Sequence, residues 1–281
     1  MNKKIKFTWD IHWDCNYRCP YCWWHNKWDS LKPRNYYPGT KKLVEVWKRI
    51  YNLYGSVQID LVGGEPLSYP DIFGFLAQIL QYHSVRITTN LSQDIEPIAA
   101  IPASLLSNLT IQPSFHPIFA DLRSFKEKIR KLNEYHIPIP SLNYLAYPPQ
   151  MPEIPHLREE FGKENIYVAV LRFLGNYNSK QYPESYTEQE LSLIGWEDPE
   201  MKKNNLTINQ MHIFKDKLCN AGHTYGVIHP DGRVQRCGGS GQSKDIVVGN
   251  IFDDDFVMLS GPQPCRSEMC PCYEWKFLLA K

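Results

Sequence analysis

The chain has 281 residues, with 31 Lys and Arg against 30 Asp and Glu, so its formal net charge is +1. This even balance gives no general electrostatic argument for binding nucleic acid or a membrane surface. Hydrophobic residues make up 43% of the chain and charged residues 22%, which supports a sizeable core and argues against a disordered protein.

No apolar run approaches the roughly 20 residues that a membrane span needs. The basic N-terminus leads into an alternating segment with Asp10 and Asp14, which is unlike a signal peptide. We therefore expect a cytoplasmic, reduced protein, in which clustered cysteines bind metal rather than form disulfides.

The first two thirds of the chain alternate β-rich and helical runs. The candidate strands are Ile5–Trp13, Val57–Val62, Val85–Thr89, Leu109–Gln112, Ile137–Leu145 and Ile166–Phe173, and the helical stretches lie at roughly 41–54, 71–82, 94–101, 121–135 and 152–161. Such alternation predicts βαβ units around a parallel sheet. Six repeats fit either an open partial barrel or a doubly wound sheet, and in both the chemistry collects at the carboxyl ends of the strands.

The remaining third has a different character. Residues 174–205 are polar and loop-like, with a helix predicted near Thr187–Ile194. Beyond them, the β-rich runs Thr224–His229 and Arg233–Arg236 flank Pro230-Asp231-Gly232, which predicts a hairpin.

Three cysteines follow the first predicted strand, in Cys15-Asn-Tyr-Arg-Cys19-Pro-Tyr-Cys22. On one loop, three thiolates can converge on one metal centre, and three ligands to a four-iron cluster leave one iron open for a small molecule. The alternative is a zinc site completed by His25.

Short polar motifs end the next three predicted strands, and each on its own is also typical of an ordinary turn or strand-end cap. Two glycines in Gly63-Gly64-Glu65-Pro66 let a ligand approach the backbone closely. Thr88-Thr89-Asn90 and Gln112-Pro113-Ser114 offer hydroxyls and amides for a ribose or a carboxylate, and His116 is a weak candidate for substrate contact or proton transfer.

The C-x3-C-x2-C loop and the G-G-E-P turn together resemble the radical S-adenosylmethionine (radical SAM) superfamily over about residues 5–175. The resemblance implies an α/β fold with a partial (β/α)6 TIM barrel. It also implies that Cys15, Cys19 and Cys22 hold a [4Fe–4S] cluster whose open iron binds S-adenosylmethionine. The implied cofactor-binding residues are Tyr21 beside the adenine, Gly63, Gly64 and Glu65 at the methionine ammonium, and Thr89, Asn90, Ser114 and Arg172 at ribose or carboxylate groups.

Five more cysteines lie near the C-terminus: Cys219, Cys237, Cys265, Cys270 and Cys272. The arrangement C-x12-G-x4-C around the predicted hairpin resembles the SPASM and Twitch extensions of radical SAM enzymes, in which such a hairpin ligates an auxiliary [4Fe–4S] cluster. The full SPASM pattern has more cysteines, so the resemblance favours one auxiliary cluster of the Twitch type, held by four of these five; zinc is the alternative. We place a barrel domain at 1–200 and a small Twitch-like domain (hairpin plus cluster loop or helix) at 201–281.

The resemblance implies an oxidoreductase-like enzyme that cleaves S-adenosylmethionine to a 5′-deoxyadenosyl radical and abstracts a hydrogen atom from its substrate. An auxiliary cluster would accept the second electron, giving a net oxidation. An electron donor such as flavodoxin or ferredoxin is expected as a partner.

The substrate is less constrained by the sequence. Fourteen residues before Cys15 leave no room for a leader-binding domain, so we expect a small molecule such as a sugar. The alternative is a peptide that is cross-linked or epimerised, and another class altogether is a zinc-binding interaction module.

Overall fold

The computed structural model describes residues 4–195, 215–238, 246–266 and 278. Within these residues, no helix combines the length and apolarity that a membrane crossing requires. The remaining residues include Cys270 and Cys272, so the predictions for these two cysteines lie outside the described parts of the chain.

Six parallel strands follow one another in space in their order along the chain. The sheet is continuous from the first to the fourth strand, and a bridge between Ser114 and Asn143 joins the fourth to the fifth. The strands are β1 (Lys6–His12), β2 (Gln58–Gly63), β3 (Ser84–Thr89), β4 (Leu109–Pro113), β5 (Leu142–Ala146) and β6 (Val168–Arg172). All six predicted strands are therefore confirmed, with ends shifted by a few residues.

Helices lie between these strands, and another follows β6. They are α1 (Trp28–Leu31), α2 (Thr40–Tyr54), α3 (Ile72–Ile79), α4 (Ala103–Leu106), α5 (Leu122–Glu134), α6 (Ile154–Gly162) and α7 (Glu188–Ile194). Helix α5 buries Phe125, Ile129 and Leu132, the stripe that its helical spacing predicts. The helix predicted at 94–101 is instead a 3-10 segment, Glu96–Ala100, followed by Pro102, which cannot continue it.

Apolar residues of β1 to β6 and of the helices packed on them form a large core. The Trp9 ring of β1 packs against Trp47 of α2 at 5.5 Å and against Phe75 of α3 at 6.0 Å, measured between ring centroids. Because the helices cover the sheet, the parallel strands are buried and their side chains are largely hydrophobic.

A short hairpin follows β6, where the sequence analysis expects a loop; that expectation is wrong for these residues. Strands β7 (Gly175–Tyr177) and β8 (Lys180–Tyr182) pair antiparallel across Asn178 and Ser179, which both have positive φ. Two positive φ values give the turn the twist that a two-residue hairpin needs. Helix α7 then starts at the predicted position, with the Thr187 side chain capping it.

Five strands lie in the described residues of the C-terminal part. They are β9 (Leu218–Cys219), β10 (Tyr225–Ile228), β11 (Arg233–Gln235), β12 (Val247–Asn250) and β13 (Gln263–Pro264). Of these, β10, β11 and β12 extend the main sheet, and β9 and β13 form a separate two-stranded sheet. Strands β10 and β11 form the predicted hairpin, and β10 pairs in parallel with β1, on the edge opposite β2. The proposed boundary at residue 200 falls outside the described residues and stays a prediction.

Candidate functional site

A cavity of about 230 Å³ opens at the carboxyl ends of the parallel strands. Nearly all residues predicted from the N-terminal motifs line it: Cys15, Cys19, Tyr21, Cys22, Gly63, Gly64, Glu65, Thr89, Asn90, Ser114 and His116. Arg172 ends β6 and is half-buried, but its neighbour Leu171 contributes to the lining instead. The strand order thus brings together motifs that are almost one hundred residues apart in the sequence.

The cysteine loop runs from the end of β1 towards α1, and N–H groups surround its sulfurs. The Tyr17 backbone N–H donates to Cys15 Sγ over 3.4 Å, and the Trp24 backbone N–H donates to Cys22 Sγ over 3.4 Å. The Asn90 side-chain amide, from the end of β3, donates to Cys15 Sγ over 3.8 Å. Such donors stabilise negative charge on sulfur, and hydrogen bonds of this kind tune iron–sulfur clusters.

Burial controls the protonation of these thiols. It raises the pKa of Cys15 to about 11 and that of Cys19 to about 12, and it raises the pKa of Cys22 as well. All three groups are therefore neutral thiols at pH 7 in the protein alone. A bound metal cation reverses this preference, because a coordinating thiol is deprotonated.

The three thiols fit an iron–sulfur cluster, which proteins hold by cysteine thiolates. N–H donors lie at two of the three sulfurs, where they would stabilise the negative charge of bound thiolates. His25, the fourth ligand of the zinc alternative, is exposed and lines a separate surface cleft with Arg18.

Gly63, the last residue of β2, and Gly64 after it are required by the neighbouring loop. A Cβ at Gly63, where φ is +119°, would overlap the carbonyl oxygen of His12, and a Cβ at Gly64 would overlap that of Asp14. The Gly64 N–H donates to His12 O over 2.7 Å, and the Glu65 N–H donates to Asp14 O over 2.8 Å. The segment just before Cys15 thus packs directly on this turn, so the turn fixes the position of the cysteine loop relative to β2.

Replacing Gly64 with alanine should displace the cysteine loop, because the new methyl group would overlap backbone that cannot move alone. We expect a loss of about 1–3 kcal/mol in the free energy of unfolding and at least a halving of iron bound after anaerobic reconstitution. Gly162→Ala is the matched control, since no atom lies within 4 Å of a Cβ built there. Equal iron content in the two variants would contradict this role of Gly64.

Glu65 is 1% exposed and joins two strand ends. One carboxylate oxygen accepts from Thr89 Oγ1 at 2.7 Å and Leu67 N at 2.9 Å, and the other accepts from Asn90 N at 2.7 Å. Burial raises the pKa of this carboxyl group, and the three hydrogen bonds oppose the rise. The hydrogen bond between Thr89 and Glu65 thus fixes both side chains. Their contacts with a methionine ammonium or a ribose stay predictions.

Buried Tyr21 and half-buried His116 form a pair in the lining of the same cavity. The Tyr21 hydroxyl lies 3.1 Å from His116 Nδ1, and the two rings stack with centroids 5.7 Å apart. Burial lowers the pKa of His116 to about 4, so at pH 7 its ring is neutral and carries a single proton. A neutral imidazole can accept or donate one hydrogen bond in the cavity, which keeps His116 a weak candidate for proton transfer.

Several lining residues carry no sequence signal and were missed: Tyr17, Asn143, Leu145 and Leu171. Trp28, one of three tryptophans that closely follow the cysteine loop, lines the cavity as well. Asn143 belongs to β5, and its side-chain amide lies 3.4 Å from Ser114 Oγ. The position of β5 beside β4 could have suggested Asn143, since it lies in a predicted strand. No local pattern distinguishes Trp28 from the other tryptophans near the cysteine loop.

The second cysteine group meets in a separate apolar cluster. Cys219 and Cys265 are buried with Ala221, Tyr225 and Val227, and Cys237 packs against them. Strand pairing aligns Cys219 with Gln263, next to the segment that carries Cys265. Three of the five predicted ligands therefore converge, although each lies in a different part of the C-terminal chain.

Arg236, which the sequence analysis missed, ties these three cysteine segments together. It directly precedes Cys237 and is 3% exposed. Its guanidinium donates to Ala221 O and Pro264 O at 2.7 Å, to Gln263 O, and to Cys219 O at 3.4 Å. A buried guanidinium also places positive charge beside the cysteines, where thiolates would be negative.

No family model matches the sequence. Streptococcus suis SuiB bound to S-adenosylmethionine is similar, with a TM-score of 0.61 and 15% identity, over 89% of this chain and 63% of SuiB. SuiB bound to its precursor peptide SuiA has a TM-score of 0.58 and 17% identity, over 89% of this chain and 63% of SuiB. The enzyme anSMEcpe with bound AdoMet and the Cp18Cys peptide has a TM-score of 0.57 and 15% identity, over 89% of this chain and 78% of anSMEcpe.

These proteins are radical SAM enzymes of the SPASM and Twitch type. The predicted fold class, α/β with a partial barrel of parallel strands, is thereby confirmed. This chain spans about 63% of the length of SuiB.

Proposed function

We propose that this chain, which has the fold of the radical SAM enzymes, is itself a radical SAM enzyme. The observation that carries the proposal is the single cavity in which the three-cysteine loop, the Gly63–Glu65 turn and the ends of β3 and β4 meet. Bound there, a [4Fe–4S] cluster and S-adenosylmethionine would supply one-electron reductive cleavage to methionine and a 5′-deoxyadenosyl radical, which abstracts a substrate hydrogen.

The chain's own residues would hold and shield these groups. Cys15, Cys19 and Cys22 are the proposed cluster ligands, supported by N–H donors at two of the three sulfurs. Ser114 and Asn90 offer polar atoms on the cavity wall, and Tyr21, Tyr17 and Trp28 supply an aromatic lining that excludes water. We keep Arg172 as a proposed carboxylate partner only, because it is not among the lining residues.

A second centre in the C-terminal part is proposed on the cluster of Cys219, Cys237 and Cys265. With a fourth cysteine from Cys270 or Cys272, these residues would hold one auxiliary [4Fe–4S] cluster. Such a centre would accept an electron from the substrate radical, so that the overall reaction is an oxidation that needs no added hydrogen donor.

Two substrate classes remain in the proposal. A small neutral molecule such as a sugar suits the cavity, since Asn143, Ser114 and His116 are uncharged at pH 7 and the Glu65 carboxylate is already bonded within the protein. The second candidate is a peptide, supported by the peptides bound to SuiB and to anSMEcpe. Peptide cross-linking or epimerisation would then be the reaction.

Metal analysis after anaerobic purification tests the proposal. We expect a brown protein with about eight irons and as many sulfides per chain, or about four if only the first cluster assembles. A colourless protein with stoichiometric zinc would end the radical SAM proposal and favour the zinc-binding interaction module.

A further inference from the structure

The segment that carries the cysteine loop is more basic than the chain as a whole. Residues 16–34 contain Arg18, Lys27, Lys32 and Arg34 but a single acid, Asp29, so they carry +3, whereas the whole chain carries +1. Arg34 is partly balanced by Asp231, 3.8 Å away. We define the basic patch as Arg18, Trp23, Lys27 and Lys32, all of which are exposed.

A tryptophan stands in the patch beside a proposed cluster ligand. Trp23 is 62% exposed and directly follows Cys22. A large aromatic ring at the surface costs solvation, and tryptophan and arginine are the residues that most often anchor protein–protein interfaces. The patch therefore combines an apolar anchor with a basic rim.

The patch borders a surface cleft that shares a lining residue with the main cavity. The cleft is lined by Arg18, His25, Asn26, Trp28 and Asp29, and the Trp28 side chain also lines the main cavity. The Arg18 guanidinium lies over the Trp28 ring, 5.0 Å from its centroid, and donates to the backbone carbonyls of Cys15 and Tyr17. A partner on the patch would thus sit close to the cysteine loop.

We propose that the basic patch docks a small acidic electron-carrier protein, with Trp23 inserted at the centre of the contact. The inference rests on the proposed function, which requires one electron per cleavage. The carrier's reduced flavin or iron–sulfur group loses one electron and the centre held by the cysteine loop gains it; no atom is transferred. Opposite charges steer such encounters and fix their orientation.

The proposal is tested by measuring the dissociation constant of the reconstituted protein and an acidic flavodoxin at several ionic strengths. Lys27→Glu/Lys32→Glu should weaken binding at least about tenfold at low salt and flatten its salt dependence. Trp23→Ala should weaken binding with the salt dependence retained. The control is Lys4→Glu: Lys4 is exposed and precedes β1, at the end of the sheet away from the cysteine loop.

Reduction by dithionite, a small molecule that needs no docking surface, separates this inference from the proposed function. We expect all four proteins to be reduced by dithionite at the wild-type rate, with slowed reduction by flavodoxin only in the patch variants. If both patch variants bind flavodoxin as tightly as the wild-type protein does, the proposed docking surface is wrong. Tighter binding of single-stranded DNA or an acidic peptide to the patch than of flavodoxin would also overturn it. Failure of S-adenosylmethionine cleavage with dithionite in the wild type would refute the proposed function instead.

Discussion

Replacing Cys15 with alanine should abolish formation of 5′-deoxyadenosine from S-adenosylmethionine and dithionite. Cys15 Sγ is the cysteine sulfur that receives hydrogen bonds from both its own loop and the end of β3. Without that thiolate, two ligands remain in the loop, which cannot hold a site-differentiated cluster. We expect loss of about four irons per chain and of the electron paramagnetic resonance signal of the reduced first cluster.

Cys237→Ala provides the control for this variant, because Cys237 lies in the separate C-terminal cluster. It should lose the irons of the second centre and keep reductive cleavage of S-adenosylmethionine. Cleavage at the wild-type rate in Cys15→Ala would contradict the ligand assignment.

Replacing Arg236 with methionine should have the second largest effect. The side chain would still fill space, but the four carbonyl groups of Cys219, Ala221, Gln263 and Pro264 would lose their donor. A buried polar group left without a partner costs about 1–3 kcal/mol. We therefore expect a clear drop in thermal midpoint and loss of iron from the second centre, while the first centre stays loaded.

The charge of Arg236 can be separated from its geometry. Arg236→Lys keeps the positive charge but loses the planar fork, so it should retain more iron than the methionine variant and keep a midpoint potential close to that of the wild type. Arg233→Met is the matched control three residues earlier, at the start of β11, since Arg233 is paired with Asp231 and half-buried. Equal iron content in Arg236→Met and Arg233→Met would show that Arg236 does not position the cysteines.

The sequence predicted those features that depend on local spacing. The alternating runs gave all six parallel strands, because each strand and helix carries its own hydrophobic period. The C-x3-C-x2-C and G-G-E-P motifs each follow a strand, and parallel strands align their carboxyl ends, so their meeting in one cavity could be expected. The turn at Gly232 was equally local: its φ is +83°, which glycine adopts readily.

Features that depend on distant contacts could not be predicted. Nothing in residues 225–228 indicates that they pair with β1 rather than with another strand. In the sequence, Arg236 looks like an ordinary surface arginine. It is buried because β9 and β13 pair with each other and pack against its side chain. The glycine pair was expected to admit a ligand, whereas Gly63 and Gly64 also make room for the backbone of His12 and Asp14.

The most direct test of the account is product analysis with the anaerobically reconstituted wild-type protein. Given S-adenosylmethionine and dithionite, it should form 5′-deoxyadenosine and methionine in equal amounts, and neither product should appear without the reductant. An iron-loaded protein that forms no 5′-deoxyadenosine under these conditions would contradict the central claim that this cavity performs radical SAM chemistry.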